Sequence, residues 1–598
     1  MQKGSLSVQT ENIFPVIKRW LYSDKDIFVR EIVSNAADAI TKHKRLVSLS
    51  EAPDTGSEYG ISVSIDRDAR TITVSDNGVG MSADDVDKYI NSIALSGALD
   101  FIKKYESENG DTSGKGIIGH FGLGFYSAFM VSDKVEIRTK SYTDAPAVSW
   151  ECDESGKYEM SEGDREERGT DIIMHITDEE SGYLDTGKFR SVLEKYCGFL
   201  PYPITLSDGG EPVVVNDTEP LWQKNPSDIT SEQYSQFYKK VFSDFSDPLL
   251  YVHINADYPL NFRGILFFPK IKSFYEPVES KIKLFYNSVF VADNIKEVVP
   301  DFIPNLRGVL DCPELPLNVS RSYLQSDAYV RKVASHIVKK VADRLCALFN
   351  NDREGFEKIW DDIRPYIEYG CIRDGKFYDR VKDIMLLRKA DGGYATVAEC
   401  LDGKEGGTVY YAGEGDGLQL YVSMYKEKGI NVLLLDSMMD MQFIQFLEGK
   451  NDKLKFVRVD ADLSALGEKA EDNAALASLF RNACGKEDLS VSFVSAEGGT
   501  PAFIKVGEET RRMADMLKMY SRSGEPSLPV GEELVVNLAD GRVAQLSAAL
   551  EKDGETDRLK EIAEYIYMSA LALSRPLTPD EQRRFSELSG SILGLLLG

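Results

Sequence analysis

Phe28-Val29-Arg30-Glu31-Ile32-Val33-Ser34-Asn35-Ala36-Ala37-Asp38-Ala39-Ile40-Thr41-Lys42 is the stretch that decides the fold. Glu31, Asn35, Asp38 and Lys42 stand at i, +4, +7 and +11, so a helix puts all four on one stripe. Phe28, Ile32, Val33, Ala36, Ala39 and Ile40 make the adjacent apolar face, which reads as core. The spacing predicts a long helix, opened by a capping box at Ser23-Asp24-Lys25-Asp26 and running to about Lys44. Taken alone, a polar stripe beside an apolar one is a solvated face. Two details set this one apart: Asn is a mediocre helix former, and Ala36 and Ala37 leave room beside the side chains.

Working outward, Ile61–Ile65 and Thr71–Ser75 alternate apolar and polar residues around an Asp66-Arg67-Asp68-Ala69 turn, which predicts two half-buried strands. Ser75-Asp76-Asn77-Gly78-Val79-Gly80-Met81 follows directly. Asp-Asn-Gly is an ordinary turn signal. It also suits a site: Asp76 can accept from an exocyclic amine, Gly78 and Gly80 let a flat ring approach the backbone, and Met81 offers a soft apolar wall. Between 114 and 124, five glycines occupy eleven positions ahead of an apolar helical stretch from Phe125 to Val131. Glycines opening a helix can form a nest of N–H groups for phosphate oxygens. No Gly-Lys-Ser/Thr follows, so this is not a Walker A loop, and no strand leads into it as in a dinucleotide fold.

The 598 residues are 42% hydrophobic and 28% charged, which fits several core-forming domains. A formal net charge of −27 argues against nucleic acid and against anionic membrane surfaces. No apolar run approaches the roughly 20 residues of a membrane span, and the N-terminus has no signal-peptide core. Seven scattered cysteines without a Cys-x-x-Cys pair read as reduced cytoplasmic thiols, with neither disulfides nor zinc. The five histidines are dispersed, and His336 is only a loose candidate for a phosphoacceptor. Strands mixed with helices predict an α+β multidomain chain. Lys134–Thr139 and Asp171–Ile176 add strands to the first domain, and the turn-rich 207–212 is expected to begin the passage out of it. Strands at 251–254 and 264–268 and a helix over 327–350 follow, and helices dominate from about 470. Leu559, Ile562, Ala563, Ile566, Ala570 and Leu573 form one stripe; after a Thr578-Pro579-Asp580-Glu581 helix start, Phe585, Leu588, Ile592, Leu595 and Leu596 form another. These stripes suit packing on their own domain or a two-fold interface.

The helix, the strand end and the glycine segment, in this order, resemble the Bergerat-type ATP-binding fold of gyrase, MutL, sensor histidine kinases and the 90-kDa heat-shock chaperones. Tyr22–Ala39 and Ile118–Phe129 are similar to the chaperone family's signatures, and so are Asn225–Thr230, Leu260–Phe267, Leu315–Arg321 and Gly375–Asp383 further on. The resemblance is clear over 5–400 and pattern-level beyond; it is to the bacterial form, without a long charged linker. It implies an N-terminal ATPase α/β sandwich with a lid (1–212), an α/β middle domain (222–468) and a mainly helical dimerisation domain (470–598). It further implies a cytoplasmic homodimer, joined through C-terminal helices, that hydrolyses ATP with Mg²⁺ to remodel partly folded client proteins, with neither nucleic acid nor membrane as partner.

By the same resemblance Asp76 binds the adenine amine, and Gly80, Met81, Phe125 and Thr170 line the adenine site. Asn35 ligates Mg²⁺, with Asp38 and Lys42 on the same cofactor-binding stripe, and Glu31 orients the attacking water. Gly119, Gly122 and Gly124 hold phosphates. Arg321 reaches the γ-phosphate, with Gln325 one turn later. Two departures stand out: Leu95 where the family usually has Lys in the lid segment, and His120 where Gln is usual. They lead us to expect altered lid closure or turnover with nucleotide binding retained. The alternatives are a DNA-processing ATPase of the MutL or topoisomerase type and a nucleotide-binding scaffold without turnover.

Overall fold

The computed structural model describes residues 24–92, 95–109, 116–119, 122–270, 280–293, 298, 306–315, 328–413, 417–435, 437–463, 465–496, 500–507, 512 and 531–597. The chain divides into two compact units, Met1–Val341 and Ala342–Gly598.

In the first unit the helix that carries the polar stripe is α1 (Ile27–Ser48), followed by α2 (Ala83–Tyr89), α3 (Gly97–Asn109) and α4 (Thr186–Cys197). The expected capping box at the start of α1 rests on Ser23, which lies outside the described residues. Asp26 has helical angles (φ −53°, ψ −20°) and makes no side-chain cap; its carboxylate accepts from the Tyr183 hydroxyl at 2.6 Å. In the first turn Phe28 N–H donates back to Lys25 O at 3.1 Å.

β1 (Ile61–Asp66) and β2 (Thr71–Asp76) pair antiparallel, as the alternation predicts. Asp66 Oδ1 closes the turn by accepting from the Asp68 and Ala69 N–H groups at 2.9 and 2.8 Å. β3 (Ser132–Lys140), β4 (Val148–Asp153), β5 (Tyr158–Glu162), β6 (Gly169–Ile176), β7 (Ile204–Ser207) and β8 (Val213–Val214) complete an eight-stranded sheet of order β5-β4-β3-β6-β2-β1-β7-β8. The 207–212 turn joins β7 to β8, so the chain stays on this sheet through Val214. The apolar stripe of α1 (Phe28, Ile32, Val33, Ala36, Ile40) is buried with Val63, Ile72 and Val74 of the sheet. Each such large side chain contributes about 1.5–3 kcal/mol by leaving water. Ala39 departs from the expected core face and borders the cavity described below.

A second sheet in the same unit has the order β12-β11-β13-β10-β9, from β9 (Leu250–Ala256), β10 (Phe262–Phe268), β11 (Lys281–Tyr286), β12 (Val289–Asp293) and β13 (Arg307–Asp311). Its Ile265, Phe267, Phe285 and Phe290 belong to the same apolar cluster as the first sheet and α1. The helix expected over 327–350 spans Ala328–Asn351.

The second unit holds a three-stranded parallel sheet with Gly407–Gly413 between Val432–Leu435 and Leu454–Arg458. Helices dominate after 470, at Ala474–Cys484, Gly541–Asp553, Asp557–Ser574 and Pro579–Leu597. A four-stranded sheet stands among them, ordered Glu468–Lys469, Ser490–Ser495, Glu532–Asn537, Ala502–Val506. Leu559, Ala563, Ile566 and Ala570 are buried, as their spacing requires. Thr578 opens the last helix reciprocally with Glu581: Thr578 N–H donates to Glu581 Oε2 at 2.8 Å, and Glu581 N–H to Thr578 Oγ1 at 3.3 Å. Among the described residues no helix is long and apolar enough to cross a membrane.

Candidate active site

The first unit contains a cavity of about 570 Å³ between α1 and the ends of β2 and β6, a size that takes a small-molecule ligand. Glu31, Asn35, Asp38 and Lys42 line it from α1, and Asp76, Gly80 and Met81 from the end of β2. Gly119, Gly122, Gly124 and Phe125 line it from the glycine segment, and Thr170 from β6. The structure thus brings together every site candidate between 31 and 170. Arg321, Gln325 and His120 lie outside the described residues. Leu95 lines the same cavity and is 48% exposed.

The polar stripe of α1 is not a solvated face. Glu31 and Asp38 are buried, at 6% and 3% exposure. Glu31 Oε1 accepts from Arg30 Nε at 2.9 Å and Nη2 at 2.7 Å, and Arg30 is itself buried. A Cβ on Gly124 would stand 2.6 Å from Glu31 Oε2, so the glycine lets this segment lie against the carboxylate. Asp38 Oδ1 and Oδ2 accept from the Ile118 and Gly119 N–H groups at 2.7 Å each. These bonds hold the glycine segment to α1, and charge makes them stronger than neutral ones. Burial pulls the Lys42 ammonium below its ordinary value, with Asp38, Asp85 and Asp76 opposing. The apolar stretch expected from 125 to 131 is a 3₁₀ helix, Gly124–Met130, whose Phe125 packs edge-on against Trp150 at 5.8 Å.

Asp76 ends β2 opposite Thr170 of β6. Its Oδ1 accepts from Gly78 N–H at 2.7 Å. Burial pushes the carboxyl up to about 7; the Gly78 bond, Arg165 and Arg168 oppose the rise, and Asp171 adds to it. Carboxyls raised by burial inside a cavity cluster at functional sites. Thr139 Oγ1 lies 2.9 Å from Thr170 Oγ1 and accepts from Met81 N–H at 2.9 Å, which fixes that wall. Gly80 has φ +60°, and a Cβ there would stand 1.8 Å from Lys140 O, so no other residue fits.

Sequence reasoning missed Arg165 and Arg168, which bond to the backbone of the 76–78 turn. Their segment, Asp164-Arg165-Glu166-Glu167-Arg168, carries no signal beyond that of a charged loop. No group of three or more His, Cys, Asp or Glu side chains able to hold a metal occurs among the described residues. Asn35 lines the cavity, and its amide oxygen is the kind of hard donor that a cation bringing phosphate and water ligands would take.

A family model described as Hsp90 protein matches residues 207–482. One described as histidine kinase-, DNA gyrase B-, and HSP90-like ATPase matches residues 23–181. The chain is similar to a chaperone protein HtpG of Porphyromonas gingivalis (strain ATCC BAA-308 / W83), 44% identical over 571 residues, 90% of this chain and 83% of that one. It is 42% identical over 588 residues to a chaperone protein htpG of Bacteroides fragilis (strain YCH46), covering 92% and 85%. To one from Shewanella amazonensis (strain ATCC BAA-1098 / SB2B) it is 29% identical over 599 residues, 93% of each.

Proposed function

The chain belongs to the Hsp90 protein family, and from that premise we propose how its cavity serves an ATP-dependent molecular chaperone. The reaction is ATP plus water to ADP plus phosphate. A DNA-acting role is set aside, because the Hsp90 match runs on through 482 and the relatives are named as chaperones.

One observation carries the site assignment: a buried acid, an amide, a strand-end carboxyl and a glycine segment meet in one cavity. Asp76 accepts from the adenine amine, with Thr170, Gly80, Met81 and Phe125 around the ring. Gly119, Gly122 and Gly124 present backbone to the phosphates. Asn35 gives its amide oxygen to Mg²⁺, and Asp38 and Lys42 flank the same stripe. A bound Mg²⁺ neutralises phosphate charge. Glu31 orients and polarises the attacking water; its Oε2 lies beside Gly124, where the phosphate end of the site is expected. Arg321 and Gln325 complete the phosphate contacts from the middle segment. The functional division into 1–212, 222–468 and 470–598, the cytoplasmic location, client binding and dimerisation through the last helices belong to the same reading. Leu593 and Leu597, 57% and 88% exposed near the chain's end, support the last of these.

Phosphate release from wild type and Glu31→Ala tests the assignment. We expect a fall of roughly 100-fold or more with ADP affinity retained. Equal rates would remove Glu31 from the chemistry.

A further inference from the structure

Arg165 and Arg168 precede β6 and have no role in the reading above. Arg165 Nη2 donates to Asp76 O at 3.1 Å, and its other arm pairs with Asp171. Arg168 Nη1 donates to Asn77 O, and to Gly78 O at 3.1 Å. Three consecutive carbonyls of one turn are therefore taken by two guanidinium groups. Gly169 makes the approach possible: a Cβ there would stand 2.0 Å from Asp76 O and 2.9 Å from Arg165 Nη2. The far arm of Arg168 donates to Ser57 Oγ at 3.1 Å, and its guanidinium lies 5.3 Å from the Tyr59 ring centre. Asn77 braces the same turn, with its Nδ2 donating to Glu58 O at 2.7 Å and its Oδ1 accepting from Gly60 N–H at 3.1 Å. On the opposite side Val79 N–H donates to Ala39 O at 3.1 Å, which ties the turn to α1.

We propose that Arg165 and Arg168 are positioning residues for purine recognition, holding the carbonyls of Asp76, Asn77 and Gly78 so that the Asp76 carboxyl faces the exocyclic amine of the base. This rests on the reading of Asp76 as the acceptor for that amine. A rotation of the turn by a few tenths of an ångström would misaim a carboxyl that has few other restraints, namely the Gly78 N–H bond and its place opposite Thr170. Hydrogen-bonded recognition depends steeply on such aim. Two cations also favour the ionised carboxyl, which is the form that accepts from an amine. The other charged groups facing Asp76 are Lys42 of α1 and Asp171 of β6; Asp54, His43 and Tyr59 lie behind Arg168. Because the arginines touch backbone and not substrate, they act on affinity and on the proton of Asp76, leaving later steps to other residues.

The test measures ADP affinity by calorimetry from pH 5.5 to 8.5, and ATP turnover, for the full-length wild type and the variants Arg168→Gln, Arg168→Lys, Arg165→Gln and Asp76→Asn. Thermal melts verify folding. For Arg168→Gln we expect affinity to fall roughly tenfold, with KM for ATP raised and kcat held. The pH at which affinity levels off moves upward. Arg168→Lys keeps the charge, so it returns that inflection toward wild type while recovering only part of the affinity, because an ammonium lacks the second arm with which the guanidinium also reaches Ser57. Should Arg168→Gln fail to fold, Arg165→Gln carries the same readout. A folded Arg168→Gln and Arg165→Gln with wild-type affinity and inflection overturn the proposal. If Asp76→Asn binds ADP as wild type does, or wild type does not bind it at all, the reading of Asp76 falls and the proposal falls with it. Loss in Asp76→Asn with no change in the arginine variants defeats the proposal alone.

Discussion

Asp76 places a titration near neutrality inside the fold, and the sign of its effect can be worked out. An unfolded Asp releases its proton near 3.8, whereas the folded one keeps it to about 7. Between those values the folded state binds more protons, so stability falls as pH rises through the window and levels off above about 7. Three units at 1.36 kcal/mol each set a ceiling of about 4 kcal/mol, and relaxation and water entry lower it. Asp76→Asn removes the titration. Melts of the nucleotide-free chain between pH 4 and 8 are expected to show the variant gaining on wild type as pH rises; parallel curves would contradict this. The same variant exchanges an anionic acceptor for a neutral amide whose donors oppose the adenine amine. ADP affinity at pH 8 is expected to fall roughly 100-fold, read by calorimetry.

At the scale of an element, α1 shows what the sequence disclosed and what it withheld. The positions 31, 35, 38 and 42 share a stripe on any helix, and that stripe does line the cavity. Period 3.6 could not show that Asp38 bonds to Ile118 and Gly119, some 80 residues on, because pairing across a fold leaves no local pattern. The bond from the Tyr183 hydroxyl to the Asp26 carboxylate, 157 residues apart, is hidden from the sequence for the same reason. Helices do dominate after 470, but the four-stranded sheet among them was not legible, because its short strands pair over long separations. The Asp38 bonds make a prediction. Asp38→Ala strips the acceptor from two N–H groups and is expected to destabilise the first unit by about 2–4 kcal/mol. Hydrogen exchange should report lost protection at the amides of residues 118 and 119, and nucleotide affinity should drop with it. Unchanged protection would mean that the glycine segment is held by other contacts.

For the whole molecule, a chaperone cycle needs the cavity to govern something larger than itself, and in the proposed reading the last helix would supply the means by joining two copies. Pro579–Leu597 packs on its own unit through Leu588, which is buried, and through Phe585, stacked on Tyr565 at 5.3 Å. Leu593 and Leu597 are left in water. Two exposed leucines one turn apart on the same helix would form a self-complementary edge if two copies met there about a two-fold axis, as the proposed reading requires. Leu593→Lys with Leu597→Lys is therefore expected to raise the dimer dissociation constant at least roughly tenfold, seen by sedimentation over a concentration series. Both positions are exposed in the single chain, so melting of the second unit should hold within about 0.5 kcal/mol. The wild type is expected to show a smaller scattering radius with a non-hydrolysable ATP analogue than without, and the double variant a much weaker response at concentrations where it is monomeric. A double variant that stays dimeric would move the interface elsewhere on the chain. One that is monomeric yet responds fully to the analogue would show that closure proceeds within a single copy, and would sever the link between the terminal leucines and the ATP site.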